Sequence, residues 1–113
     1  MKRLSRKMTI AFGLMSALAP LTLNAAGNPA AGKEKSVTCQ ACHGTDGHSI
    51  APNYPILAGQ YESYLVQALH DYRSGKRSNI IMAGFAAGLT DQDIDDLAAW
   101  FASQKGLQDL SVK

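Results

Sequence analysis

The chain has 113 residues, with 11 Lys and Arg against nine Asp and Glu, so its formal net charge is +2 at pH 7. This length has room for one domain. Four of the basic residues lie within residues 1–7, and without them the remaining seven basic and nine acidic side chains give about −2. The positive excess therefore belongs to the extreme N-terminus, and the rest of the chain gives no support for nucleic-acid binding.

Residues 1–26 have the order of a secretory signal peptide. A basic beginning precedes a mostly apolar stretch over residues 8–23, and small residues follow. A permanent transmembrane helix is the alternative, but the stretch contains Gly, Ser and Pro and falls short of the ~20 apolar residues needed to span a bilayer. We therefore predict cleavage after Ala25 or Ala26, with residues 27–113 as one periplasmic domain that has no stable membrane association.

The first predicted helix of this domain begins after Asn28. Asn is a favoured N-cap, and Pro29 occupies the first helical position, where its missing N–H costs nothing. The helix is predicted to continue to His43 and to stop at Gly44. Residues 45–59 contain several Gly and Pro and no sustained apolar period, which is typical of an irregular loop.

Two further helices are predicted. Over residues 60–74 apolar side chains recur at the spacing of one helix face, and Gly75 is a natural C-cap. Residues 76–89 are predicted to form a second irregular loop. Thr90 caps a last helix that ends at Gly106 and has Asp residues near the positive end of its dipole. The fold is thus predicted to be all-α, with three main helices and two loops of about 15 residues, long enough to wrap a large flat cofactor.

Residues 39–43 have the sequence Cys-Gln-Ala-Cys-His, the pattern of a c-type haem attachment site. Two intervening residues put the thiols of Cys39 and Cys42 near one edge of a porphyrin, where each can form a thioether with a vinyl group. His43 follows directly and is the candidate proximal ligand to iron. One covalently bound haem c is therefore the predicted cofactor.

Three other uses of the cysteine pair compete with haem attachment. A thioredoxin-type redox pair normally follows a strand in a βαβ context, and this chain has no strand pattern. A zinc site would need two more ligands, and His48 and His70 lack the spacing of a second ligand pair. A disulfide would close only a very short loop. We interpret His48 and His70 as surface residues.

With these features the chain resembles the class I cytochromes c, and within that family the small bacterial monohaem proteins and the single domains of cytochrome c4. The likeness extends over residues 28–104. Several sequence blocks carry the likeness, and their order and spacing are specific for this fold. The pentapeptide alone would identify a haem site but not a fold. The blocks are Ala31-Gly32-Lys33, Cys39 to Gly44, Tyr54 to Gln60, Gly75-Lys76-Arg77, Ile81 to Gly84 and Leu97 to Trp100.

The resemblance implies two structural contacts. The first and last helices should cross near Gly32, where the missing side chain lets Leu97 and Trp100 approach. The backbone carbonyl of Pro55 should accept a hydrogen bond from His43, which would fix the orientation and tautomer of the imidazole ring.

Met82 is the predicted distal ligand to iron. A c-type electron carrier usually completes its coordination with a thioether or an imidazole, and every other methionine lies in residues 1–26. Met82 falls within one of the resembling blocks, across the middle helix from His43, and small Ala83 and Gly84 would let the backbone approach the ring. The two remaining histidines are the alternative ligands.

A haem with protein ligands on both faces has no open position for a substrate. We therefore expect an electron carrier rather than an enzyme, one that exchanges single electrons by outer-sphere transfer with redox partner proteins through transient contacts. Two alternatives stay open. One is a haem-bearing subunit of a periplasmic dehydrogenase complex, and the other is a ligand-binding or peroxidatic haem protein with a displaceable sixth ligand.

Overall fold

The computed structural model describes residues 26–107, and within them it contains five α-helices and no strand. The helices are α1 (Pro29–Lys35), α2 (Val37–His43), α3 (Glu62–Ser74), α4 (Ile80–Ala86) and α5 (Asp91–Ala102). The all-α prediction is confirmed. The predicted signal peptide, residues 1–26, lies outside the described residues apart from Ala26. Between residues 26 and 107 no helix is both long and apolar enough to cross a membrane.

The predicted first helix is divided at Ser36 into α1 and α2. Ser36 has φ −74° and ψ −6°, and its N–H donates to the carbonyl oxygens of both Gly32 and Lys33. Its buried hydroxyl also donates to the Lys33 carbonyl at 2.7 Å. A serine hydroxyl that bonds a carbonyl of the preceding turn disturbs a helix. As a result α2, which carries the cysteine pair, is a separate short helix.

The helix caps predicted from the sequence are present. The side chain of Asn28 accepts hydrogen bonds from two N–H groups in the first turn of α1. Gly75 ends α3 in the left-handed conformation, with φ 79°, which glycine adopts without steric cost. Thr90 and Asp93 form a capping box, in which each side chain accepts from the other's N–H. Helix α5 ends at Ala102, about one turn earlier than predicted.

A helix lies within the segment predicted as the second loop, which corrects that prediction. Helix α4 (Ile80–Ala86) begins after Asn79, whose side chain accepts hydrogen bonds from the N–H groups of Ile81 and Met82. The glycines of this segment favoured a loop, but the asparagine cap and the burial of Ala86 support one short helix.

The hydrophobic core lies between α3 and α5. Leu65 of α3 is buried together with Leu97, Ala98 and Phe101 of α5. Leu97, Ala98 and Phe101 recur at helical spacing on α5, and Leu69, one turn after Leu65 on α3, packs against the same cluster, as the predicted apolar stripes require. Cys39 of α2 packs against the same cluster. The core therefore adjoins the segment that carries the cysteine pair.

Helices α1 and α5 cross at Gly32, as the resemblance implies. A Cβ at Gly32 would collide with the carbonyl oxygen of Asp96 and would lie 2.8 Å from the Cβ of Trp100. Carbon atoms pack at about 3.5–4.0 Å, so only glycine permits this approach. The expected contact with Trp100 is present, whereas Leu97 belongs to the cluster between α3 and α5.

A buried carboxylate ties α5 to the start of the domain. Asp96 accepts from the Asn28 N–H at 2.8 Å, Lys35 Nζ at 2.6 Å and Gln92 Nε2 at 2.9 Å. Burial by itself raises the pKa of Asp96, but these bonds together outweigh it and hold that pKa below its ordinary value. Lys35 also pairs with Asp93 at 2.8 Å, and this bond is the main reason that the pKa of Asp93 falls to about 2.

Candidate functional site

The cysteine pair lies on α2 with both thiols free. Cys39 and Cys42 are half-buried and form no disulfide with each other. Burial raises the pKa of the Cys39 thiol, and a hydrogen bond with Thr38 only partly offsets that effect. A raised pKa keeps a thiol protonated near neutral pH. Both cysteines line the same cavity.

His43, the last residue of α2, is buried and oriented by the loop that follows. Its Nδ1 lies 2.9 Å from the carbonyl oxygen of Pro55. Because a carbonyl oxygen can only accept a hydrogen bond, Nδ1 must donate, and the lone pair of Nε2 stays available for a metal. This is the hydrogen bond that the family resemblance implies.

The loop between α2 and α3 is irregular but well bonded. The Ser49 N–H donates to the His43 carbonyl at 2.6 Å, and the Leu57 N–H donates to the Gly47 carbonyl at 2.8 Å. These bonds fold the loop back over the end of α2. Pro55 is thereby held at hydrogen-bonding distance from the imidazole of His43.

Two adjoining cavities have walls formed by α2 and α4. The larger, of about 310 Å³, is lined by all five residues predicted to form the site, namely Cys39, Cys42, His43, Pro55 and Met82. The smaller, of about 80 Å³, reaches the core between α3 and α5 and shares Cys39, His43 and Met82 with the larger one. An imidazole and a thioether thus border both of these largely apolar cavities.

Met82 reaches these cavities from α4. It is half-buried and is the third residue of the helix. The side-chain oxygen of Asn79 accepts from the N–H groups of Ile81 and Met82, at 3.0 Å in each case. Phe85, one turn further along, lines the same two cavities. Met82 and Phe85 are therefore the two residues of α4 that line both cavities.

Gly84 lies away from this wall. Gly84 follows Met82 by two residues, so it lies about 200° from Met82 around the helix axis. It lines neither cavity. The small residue that α4 places on the wall is Ala86, which is fully buried. The expectation that Ala83 and Gly84 let the backbone approach the cofactor assumed an irregular loop. In the helix, Ala83 and Gly84 line neither cavity, whereas Ala86 lines the smaller one.

The two other histidines do not line these cavities. His48 Nδ1 lies 2.8 Å from the carboxylate of Asp46, and this hydrogen bond lowers the pKa of Asp46. His70 Nδ1 lies 2.8 Å from the guanidinium of Arg73. Within residues 26–107 no group of three His, Cys, Asp or Glu side chains is placed to hold a metal ion.

Sequence reasoning did not identify two polar residues on the wall of the larger cavity, Asn53 and Asn79. Asn79 carried a detectable signal, since asparagine before an apolar run is typical of a helix start. Tyr72 of α3 also lines this cavity, and the guanidinium of Arg77 lies over its ring at 4.9 Å. Arg77 thus lies next to a residue of the cavity wall.

The family of the chain follows from a match to a family model described as Cytochrome c, which extends over residues 29–105. The chain belongs to the cytochrome c family. Cytochrome c-554(548) of Halomonas halodenitrificans is 48% identical over 83 residues, which cover 71% of this chain and 100% of that protein.

Cytochrome c4 proteins are also similar to this chain. That of Pseudomonas aeruginosa is 55% identical over 82 residues, which cover 73% of this chain and 41% of that protein. The crystal structure of reduced recombinant cytochrome c4 from Pseudomonas stutzeri matches with a TM-score of 0.69 at 46% identity, covering 73% of this chain and 48% of that one. The chain thus spans less than half the length of these relatives.

As a member of this family the chain carries one haem c, bound covalently through Cys39 and Cys42. The cavity suits that group, because two free thiols, an imidazole with an available Nε2 and a thioether border one apolar space. Ile81 and Phe85 also line it, and they are 58% and 50% exposed in the protein alone. Such large apolar side chains are expected to be covered by a bound porphyrin.

Proposed function

We propose that this chain is a periplasmic electron carrier, which exchanges one electron at a time through a haem c whose iron is held by His43 and Met82. The observation that carries the proposal is that both cysteines, His43 with its partner Pro55, and Met82 all line the larger of the two adjoining cavities. The similarity to cytochromes c over most of the chain supports the same conclusion.

The two proposed ligands have different tasks. The hydrogen bond from His43 to Pro55 stops rotation of the imidazole. It also makes the lone pair of Nε2 a stronger ligand for iron. Met82 supplies a soft thioether, which favours ferrous iron and a high potential. When bound, the haem provides a one-electron iron couple. The surrounding leucines keep water away and lower the local dielectric constant, which further disfavours the more highly charged oxidised state.

The same ligand set argues for a carrier rather than an enzyme. If protein side chains fill both axial positions, no site is left at which a small molecule can bind and be activated. Redox partners would then meet the protein through small, short-lived contacts.

The decisive experiment replaces the proposed distal ligand in the haem-loaded protein. Met82→Ala is expected to abolish the weak far-red sulfur-to-iron band of the oxidised form, to lower the potential strongly and to allow carbon monoxide to bind the reduced form. Ile80→Ala is the matched control, because Ile80 lies on the same helix and is 90% exposed. An unchanged spectrum and potential in Met82→Ala would remove Met82 from the site.

Export is a separate part of the proposal, supported by the basic, apolar and small-residue segments of residues 1–26. The processed protein should begin after Ala25 or Ala26 and should be released with the periplasmic fraction. Intact-mass measurement is expected to give the shortened chain plus one haem. Recovery of the full-length chain in washed membranes would contradict export with cleavage.

A second candidate is an electron-transfer subunit of a dehydrogenase. It is favoured by two similar proteins, the thiosulfate dehydrogenase electron acceptor of Stutzerimonas stutzeri, 44% identical over 73 residues, and the cytochrome subunit of sulfide dehydrogenase of Chlorobaculum tepidum, 35% identical over 72 residues. Native purification separates the two candidates. A permanent subunit would co-elute with a larger partner, whereas a free carrier would elute at the size of its own chain.

A further inference from the structure

Helix α4, which carries Met82, is held by few contacts with the rest of the protein. Its main helical neighbour is α3. Of its seven residues only Ala86 is buried, and Ile80, Ile81 and Phe85 are exposed. A helix of this length is not stable by itself in water. Apart from the haem itself, the groups that fix Met82 are therefore mainly the buried contact of Ala86 and the bonds at the start of α4.

Asn79 makes most of those bonds. Its side-chain oxygen accepts from the N–H groups of Ile81 and Met82 at 3.0 Å each, and its carbonyl accepts from the Ala83 N–H at 2.8 Å. Its φ of −163° and ψ of 115° are those of an N-cap residue. One bond thus ends on the amide of Met82 itself, and Asn79 lines the same cavity as Met82.

We propose that Asn79 is a positioning residue that keeps Met82 on the haem iron, an inference that rests on the His43 and Met82 ligation proposed above. The cap bonds restrain the backbone of Met82, and hence the direction in which its thioether leaves the helix. Loss of the cap weakens the first turn of α4 and favours the state in which Met82 is detached. Removal of an asparagine cap typically shifts such an equilibrium about fivefold.

Competition with imidazole in the oxidised holoprotein measures this equilibrium, since imidazole binds iron only where Met82 has left. Asn79→Ala should raise the apparent imidazole affinity about fivefold and weaken the far-red sulfur-to-iron band. Asn79→Ser, which keeps an uncharged cap, should restore both to nearly the values of the unmodified protein. Asn28→Ala is the matched control, because it removes a side-chain cap with two similar hydrogen bonds at the start of α1.

Three results would overturn the positioning role: an unchanged imidazole affinity in Asn79→Ala, an equal rise in Asn28→Ala, or no recovery in Asn79→Ser. Met82→Ala distinguishes this failure from failure of the ligand assignment. If Met82→Ala changes the band and the affinity but Asn79→Ala does not, the positioning role alone is wrong. If Met82→Ala changes neither, the ligation itself is wrong.

Discussion

The crossing of α1 with α5 and the segment around α4 are packed very differently. At the crossing, Gly32 brings backbone into direct contact with backbone, and Asp96 is bonded from three directions while its side chain is only 4% exposed. In α4, by contrast, Ile81 and Phe85 are half or more exposed, and a Cβ at Gly84 would meet no atom within 4 Å. At the crossing, protein groups alone fill the contact and bond the buried carboxylate. Helix α4 instead presents an apolar surface suited to a cofactor.

Loss of both attachment cysteines should have the largest effect, because the α4 side then loses the group that covers its apolar residues. Cys39→Ala combined with Cys42→Ala is expected to give almost no accumulated folded protein, with much weaker helical circular dichroism. Cys42→Ala alone keeps one thioether and should give an intermediate yield. Normal yields of a folded, haem-free double variant with native helix content would contradict this dependence on the cofactor.

Gly32→Ala tests the crossing directly. The added methyl group would overlap the Asp96 carbonyl oxygen and lie 2.8 Å from the Trp100 Cβ, and neither helix backbone can move aside without separating the two helices. We expect a loss of about 3 kcal/mol in the free energy of unfolding, measured by denaturant titration of the holoprotein. A change within experimental error would show that the two helices do not meet as described.

Asp96→Asn probes the charge at the same crossing. Because the folded-state pKa of Asp96 lies below the ordinary value of 3.8, its carboxylate adds stability above about pH 4 that is lost as the pH falls through the folded-state pKa. At pH 7 the variant should be about 1–2 kcal/mol less stable than the unmodified protein. The difference should shrink towards pH 2, the region in which Asp93, with a pKa of about 2, also becomes protonated.

Denaturation curves at several pH values between 7 and 2 check this expectation. Asp95→Asn, one residue away on α5, is the control for a general effect of removing negative charge near the helix start. A stability difference for Asp96→Asn that stays constant over the whole pH range would show that the loss does not come from the charged form of Asp96.

Gly84→Ala should have the smallest effect and the opposite sign to Gly32→Ala. Open space surrounds the position, and alanine has a higher helix propensity than glycine. We expect a gain of about 1 kcal/mol in the free energy of unfolding, with no change in the reduction potential. A fall in stability together with a shifted potential would mean that Gly84 lies against the haem after all.

The sequence alone was sufficient wherever a short stretch carried the whole physical argument. The pentapeptide at residues 39–43 indicated covalent haem attachment because thiol spacing and an adjacent imidazole are local properties. The caps at Asn28, Gly75 and Thr90 were likewise predictable, since each satisfies backbone groups within a few residues of itself.

Tertiary structure decided the features that depend on distant partners. Helix α4 was missed because seven residues containing a glycine form a helix only with a cap and a buried contact at Ala86. The break at Ser36 could not be read from helical periodicity, since it depends on how a buried hydroxyl bonds the preceding turn. The cavity itself unites Cys39, Pro55 and Met82 from three segments, and only packing against α3 and α5 brings those segments to one place.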